Sequence, residues 1–352
     1  MAKNNDEYKP KKIGSLIAKI FLGIFIAIVI IVLVAFFSGY FFLKSKLDKV
    51  EYTNLTRSDI QINDNIENEL ASYRNIALLG IDARKDTFGT GNRSDCIMIL
   101  SLNTKTNDVK IASVYRDTYL DIEGYGLDKV THAYSYGGPQ LALNTLNKNL
   151  DLNITEFVAI NFDTVRTAVD CVHGVEIQVD SQEVKYINNY INALNQQFGT
   201  SSPNITTPNT YTLDGVQALA YSRIRYTDGG DYKRTERMRD VLMAVFNKAK
   251  NMNVSELNKL LDIMLPHVST NINQKEIMNM IPKIMSFNVI NSFGWPYNTK
   301  GITKDRWYGV PVDLESNVTQ LHKDLFDEKD YVPTDTVKQI SNRIIKSTGY
   351  TK

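Results

Sequence analysis

The feature that most constrains this 352-residue chain is a run of 24 residues, 20–43, that carries no charge and is rich in Ile, Val, Phe and Leu. A helix of about 20 apolar residues spans the hydrocarbon core of a bilayer. A secretory signal would have an apolar stretch of roughly 7–15 residues followed by a small-residue cleavage site, and neither fits here. The run therefore reads as an uncleaved transmembrane anchor. Lys3, Lys9, Lys11, Lys12 and Lys19 precede it and Lys44, Lys46, Lys49 and Arg57 follow it, so charge bias gives little orientation. The short tail, 1–19, is expected to stay in the cytoplasm, which places everything beyond the anchor outside the cell.

Residues 44–72 are polar and charged without strong periodicity and read as an extracellular stalk. Beyond them, with 43% hydrophobic residues overall, the chain can bury a sizeable core. Its 40 Lys and Arg nearly cancel its 39 Asp and Glu. No global field draws such a chain onto nucleic acid, so any anion site has to be local. Cys96 and Cys171 match neither a disulfide framework nor a zinc set and leave the redox compartment open.

Residues 76–81 form an apolar run ending at Asp82, the pattern of a strand buried on both faces whose last residue emerges at a sheet edge. Polar chemistry gathers at such edges. Runs 96–102 and 109–115 flank the polar 103–108 and predict a β-hairpin. With 104–107 as the loop, residue 102 pairs with 109, and the same register sets Asp95 opposite Arg116. Further strands are expected over 157–162 and 175–179, separated by a helix over 163–172 that stops at Gly174. A loop over 201–209 precedes a helix over 214–221. The class is mixed α/β.

The most informative stretch is 223–237. After it, Met238, Val241, Leu242, Val245, Phe246 and Ala249 recur at helical spacing, with Asp231 as N-cap after Gly229 and Gly230. Arg234 falls about 40° from the centre of that apolar stripe and Arg239 about 100° from it. A buried cation in a first helical turn is unfavourable on both counts unless an anion offsets it. A phosphate does so, and Arg adds a bidentate fork; a carboxylate partner is the structural alternative. Arg223 and Arg225 would present two more guanidinia on one face of an extended segment, or line a solvated edge. Asp82, Arg84, Arg93, Asp95, Arg116 and Asp117 all fall at predicted strand ends. Interleaved carboxylates and arginines suit a Mg²⁺–pyrophosphate site, or a lattice of ion pairs in which Asp95 simply meets Arg116. Lys129, His132 and Tyr134 read as a polar loop. Zinc spacing, a Ser/His/Asp order and a P-loop are all missing from the sequence.

Gly80-Ile81-Asp82, Arg93-Ser94-Asp95, Arg116-Asp117-Thr118, His132-Ala133-Tyr134, Leu213-Asp214-Gly215, Tyr221-Ser222-Arg223-Ile224-Arg225 and Gly230-Asp231-Tyr232-Lys233-Arg234 resemble, in order and spacing, the LytR-CpsA-Psr (LCP) family. The resemblance implies a three-layer α/β/α sandwich with a mixed central sheet, preceded by one transmembrane helix. It places a catalytic core over 73–250, with 251–352 as its C-terminal completion, and an apolar tunnel for a polyprenyl chain. The implied activity is Mg²⁺-dependent transfer of a phosphate-linked glycopolymer, such as teichoic acid or capsule, from a polyprenyl-pyrophosphate carrier to peptidoglycan at the outer face of the cell membrane. Carried over by position, Asp82 and Asp95 would hold Mg²⁺, and Arg93, Arg116, Arg223, Arg225 and Arg234 would grip the pyrophosphate. Arg116 would also act in catalysis, with Asp231 as general base. The chain departs from the family pattern at Tyr115, where Pro is usual, at Lys233, where Gly is usual, and at Met238, where Gln is usual. Two rival readings remain: a membrane-tethered polyanion-binding or regulatory module without turnover, and a hydrolase of lipid pyrophosphates.

Overall fold

The computed structural model describes residues 39, 41–82, 88–161, 164–284 and 286–351. The chain divides into two compact units, Met1–Asp48 and Lys49–Lys352. In the first, residues 41–47 are helical. The expected membrane span, 20–43, lies for the most part outside the described residues. Among those described, no helix is long and apolar enough to cross a membrane.

Among the described residues the second unit has thirteen strands: β1 (Glu51–Tyr52), β2 (Tyr73–Asp82), β3 (Arg93–Asn103), β4 (Asp108–Val114), β5 (Tyr119–Ile122), β6 (Gly126–Lys129), β7 (Glu156–Asn161), β8 (Val175–Val179), β9 (Asn209–Leu213), β10 (Val268–Thr270), β11 (Asn288–Trp295), β12 (Thr299–Thr303) and β13 (Trp307–Pro311). Seven of them form one sheet in the order β1-β10-β7-β2-β3-β4-β11. It is mixed: β2 runs parallel to β7 and antiparallel to β3, and β4 runs antiparallel to β3 and parallel to β11. The carboxyl ends of β2, β4, β7 and β11 therefore share one edge.

Both faces of this sheet are covered, which is why its strands read as near-continuous apolar runs. Alternation sorts the side chains. Ala77, Leu79, Ile97, Ile99, Ala112 and Val114 enter one core with Leu143 and Leu146 of the helix Val130–Leu150 and with Leu321 and Ile340 near the C-terminus. Met98, Leu102, Val109 and Ile111 enter a second core with Val169, Ile187, Leu219, Met238 and Val241. The sheet is thus sandwiched between two helical layers, and residues beyond 250 supply β10 and β11 to it.

The hairpin has the expected register, with Leu102 opposite Val109 and Ile97 opposite Val114. One irregularity matters for the site. Gly80 pairs with Cys96 and Ile81 with Ser94, so Asp95 is an extra, unopposed residue in β3. Such a bulge bends a strand and re-aims a side chain.

Two expectations need correction. Residues 49–72 are not a stalk: β1 pairs with β10, and Ile60, Ile66 and Leu70 are buried in the first core. These anchors sit at the ends of helical turns of only three and four residues, Arg57–Asp59 and Ile66–Glu69, so they leave no periodic trace. Lys129, His132 and Tyr134 do not form a loop, because Lys129 ends β6 and the other two open the helix Val130–Leu150. His132 pairs with Asp128 at 2.9 Å, and Tyr134 donates to the Phe88 carbonyl at 2.6 Å. The strand expected over 175–179 is β8, which lies outside the main sheet and pairs with β9 at the end of the expected loop over 201–209.

Candidate active site

The site forms where the carboxyl edge of the sheet meets the N-terminus of the helix Gly230–Ala249. Arg116 follows β4, and the Asp95 bulge turns toward it. The helix begins two residues earlier than expected: Gly229, in the left-handed region at φ 86°, is the N-cap, and Asp231 sits in the first turn. The expected inward aim of Arg234 is what the structure shows, with only 2% of that residue exposed.

Two arginines and two aspartates close an alternating ring. Arg116 Nη1 lies 2.8 Å from Asp95 Oδ2, and Arg116 Nε lies 3.1 Å from Asp231 Oδ2. Arg234 completes it, with Nη2 3.1 Å from Asp95 Oδ2 and Nη1 3.1 Å from Asp231 Oδ1. Asp117 stands beside Arg116 at 3.5 Å and is held by Lys129 at 2.7 Å.

Next to the ring is a cavity of about 420 Å³ lined by Asp82, Asp95, Arg223, Arg225, Arg234, Tyr190, Tyr226 and Met238. Arg223 and Arg225 reach it by a route that differs from the expected extended segment. Arg223 is the last residue of the helix Gly215–Arg223, and Ile224 then turns into extended backbone. Arg225 comes within 4.0 Å of Asp231. Arg93 starts β3 directly opposite Asp82 and is exposed, but it does not line the cavity. Arg84 lies outside the described residues.

The electrostatics show a site short of negative charge. Burial lowers Arg234 below its ordinary value; Arg116 and Arg225 push the same way, and Asp231 and Asp95 offset this only in part. Burial alone would raise Asp95, yet Arg116 and Arg234 together hold its carboxyl below the usual carboxylate range. Burial also pushes the neighbouring Cys96 thiol up to about 12, so it stays protonated. Cavity and ring together carry four guanidinia against three carboxylates, a surplus suited to a phosphate or pyrophosphate.

The fit to a divalent ion rests on one atom. Asp95 Oδ1 is buried and has no hydrogen-bond partner among the described residues. A buried carboxylate oxygen without a donor is costly and calls for a cation or a water. Asp82 lines the same cavity. No cluster of three or more His, Cys, Asp or Glu is placed to hold a metal among the described residues. Two carboxylates nonetheless suffice for Mg²⁺ when phosphate oxygens and waters complete the shell.

Sequence reasoning passed over three neighbours. Arg237 is buried and its Nε donates to Glu183 at 2.7 Å, an ion pair inside the second core. By the helical arithmetic that turns Arg234 inward, Arg237 falls about 100° from the centre of the apolar stripe, as Arg239 does, so its burial comes from its partners Glu183, the Ile224 carbonyl and Thr227 and not from the stripe. Tyr190 and Tyr226 line the cavity without any local signal. Of the departures from the family pattern, Lys233 is exposed and pairs with Glu236, whereas Met238 is buried and lines the cavity. Tyr115 packs against Tyr232 with ring centroids 4.3 Å apart.

An arginine-rich, acid-bearing cleft at the carboxyl edge of a mixed sheet defines an anion-handling site of the phosphoryl-transfer type. Residues 39–323 match the LytR_cpsA_psr family, and the chain belongs to it. The chain is 32% identical over 233 residues to polyisoprenyl-teichoic acid–peptidoglycan teichoic acid transferase TagT of Bacillus subtilis (strain 168), covering 64% of this chain and 70% of that protein. It is 32% identical over 272 residues to the TagU enzyme of Enterococcus faecalis (strain ATCC 700802 / V583), covering 75% of this chain and 80% of that one. A structure of TagT with bound octaprenyl pyrophosphate lipid has the same fold, at TM-score 0.52 and 22% identity over 84% of this chain and 99% of that one.

Proposed function

We propose that this protein is a transferase that moves a phosphate-linked glycopolymer, teichoic acid or a related polysaccharide, from a polyprenyl-pyrophosphate carrier onto peptidoglycan. The observation that carries this reading is the Arg116–Asp95–Arg234–Asp231 ring opening onto a cavity that also presents Arg223 and Arg225. Its relatives TagT and TagU bear the name of that activity.

In this reading the cavity arginines bind the pyrophosphate of the donor, with the polyprenyl chain in an apolar tunnel beyond them. Arg93, exposed at the start of β3, meets the same donor from the rim. Asp231 accepts the proton of an acceptor hydroxyl. That hydroxyl oxygen forms a bond to the glycan-side phosphorus, the bond from this phosphorus to the bridging oxygen breaks, and polyprenyl phosphate leaves. The product is a phosphodiester between glycopolymer and acceptor. Arg116 and Arg234 stabilise charge on the transferring group and the leaving phosphate. Asp82 and Asp95 would hold Mg²⁺, which when bound neutralises phosphate charge. The same proposal includes the layout: 1–19 in the cytoplasm, 20–43 as anchor, and the catalytic unit at the outer face of the membrane. The uncharged run supports it.

The test is to incubate the full chain with Mg²⁺, a lipid-linked glycopolymer and peptidoglycan oligomers. Glycopolymer joined to the oligomers, with release of lipid phosphate, is the expected result. Free glycopolymer would mean a hydrolase, and donor binding without release would mean a binding module.

A further inference from the structure

We propose that Tyr115, Tyr232 and Trp307 form a shelf that stacks the sugar rings of the glycan acceptor. This rests on the transferase reading and assigns the acceptor its place. Tyr232 follows Asp231 in the chain, and its ring links the other two, 4.3 Å from Tyr115 and 6.3 Å from Trp307 between centroids.

The rings lie on bare backbone. Gly301 and Gly309 are cross-strand partners in the β12–β13 ribbon. A Cβ on Gly301 would come within 2.7 Å of Trp307 Nε1, and one on Gly309 within 2.8 Å of Tyr232 Oη. On β11, the edge strand of the main sheet, a Cβ on Gly294 would collide with Tyr115 Oη. Three glycines thus seat three aromatic side chains, a pairing that stiffens strands. Packing alone does not account for the outer ring, because Trp307 keeps 40% of its surface exposed.

Position and chemistry favour a sugar. A pyranose has a face of C–H groups and a rim of hydroxyls, and Tyr and Trp combine an apolar face with a polar edge. An alkyl chain would gain more from an enclosed apolar wall than from an open shelf with polar edges. The donor cavity is lined by Arg223, Arg225, Arg234, Asp82 and Asp95, whereas none of the three rings lines it. Asp231 pairs with Arg234 of the cavity and immediately precedes Tyr232 of the shelf in the chain. A base that takes a proton from the acceptor has to sit between the donor phosphorus and the bound acceptor, and this arrangement supplies that order.

The chain's 2 tryptophans make the test direct, since Trp295 is fully buried and Trp307 is half exposed. Acrylamide quenching of the full chain in detergent is measured while undecorated N-acetylglucosamine–N-acetylmuramic acid oligomers are added. Saturable shielding of the accessible tryptophan is expected, and the Trp307→Phe variant should lack the shielded signal. In the transfer assay Trp307→Ala should raise the acceptor KM roughly three- to tenfold with little change in kcat. Unchanged quenching at oligomer concentrations that sustain transfer overturns the shelf and leaves the transferase reading standing. Shielding in a protein that transfers nothing supports the shelf and removes the transferase reading.

Discussion

Asp95 and Arg234 stand 139 positions apart in the chain, yet Arg234 Nη2 lies 3.1 Å from Asp95 Oδ2. The contact joins the sheet edge to the N-terminal end of the helix Gly230–Ala249. Asp95 reaches it because a bulge frees it from strand pairing, and Arg234 because it lies on the buried face of its helix. Each of these two backbone features would be costly without the other, and together they set two guanidinia where a phosphate can meet both.

Arg234→Lys separates charge from geometry. An ammonium keeps the positive charge but cannot bridge Asp95 and Asp231 as a planar fork does. Transfer should fall at least about a hundredfold, while unfolding free energy drops by no more than about 1 kcal/mol. Arg234→Ala should lose transfer and also about 1–3 kcal/mol, because Asp95 then relies on Arg116 alone and Asp231 on Arg116 and the more distant Arg225. Thermal unfolding beside lipid-phosphate release checks both variants; a lysine variant with near-normal transfer would remove the bidentate role.

The buried Arg237–Glu183 pair should behave oppositely. It lies in the second core and does not line the cavity. Glu183→Gln leaves a buried guanidinium without its counter-charge and should cost about 3 kcal/mol of stability. Specific activity per folded molecule should stay within about twofold, since no transition-state contact is lost. Denaturant titration and activity on the same samples distinguish the two effects.

Asp95 gives the fold a pH signature. Its carboxyl is held below its ordinary value of 3.8. A lowered native pKa means that the stabilisation is complete above the unfolded-state value and is lost as pH falls through the native one. The unfolding temperature of the wild type should therefore approach that of Asp95→Asn as pH drops from about 5 toward the acid range. A gap between the two proteins that stays constant with pH would contradict the assignment.

Chelation of divalent ions should stop transfer. Asp95→Asn should raise the Mg²⁺ concentration for half-maximal rate by about tenfold or more, because its orphaned Oδ1 is the candidate ligand atom. A variant that is slower at every Mg²⁺ concentration with an unchanged midpoint would leave Asp95 in the arginine ring and out of the metal shell.

The hairpin that carries Asp95 and Arg116 was legible because a polar loop between two apolar runs fixes its register. Arg234 was legible because helical periodicity alone decides which way it faces. What escaped depends on distant packing. The bulge at Asp95 answers to β2, and the helical end at Arg223 and the cavity walls at Tyr190 and Tyr226 have no local pattern. Residues 49–72 looked like a stalk because Ile60, Ile66 and Leu70 find their core only once β10 and the helix Val130–Leu150 are in place. The cap lies two positions before Asp231, because Gly229 adopts the left-handed conformation there, and this leaves the aspartate free for two arginines.

The most direct test is calorimetric titration of a polyprenyl pyrophosphate, and of the matching monophosphate, into the full chain. The account predicts one saturable site that prefers the pyrophosphate, with affinity lower by about a hundredfold or more in the Arg116→Ala/Arg234→Ala double variant. Equal binding of the two lipids, or a double variant that binds as tightly as the wild type, would contradict it.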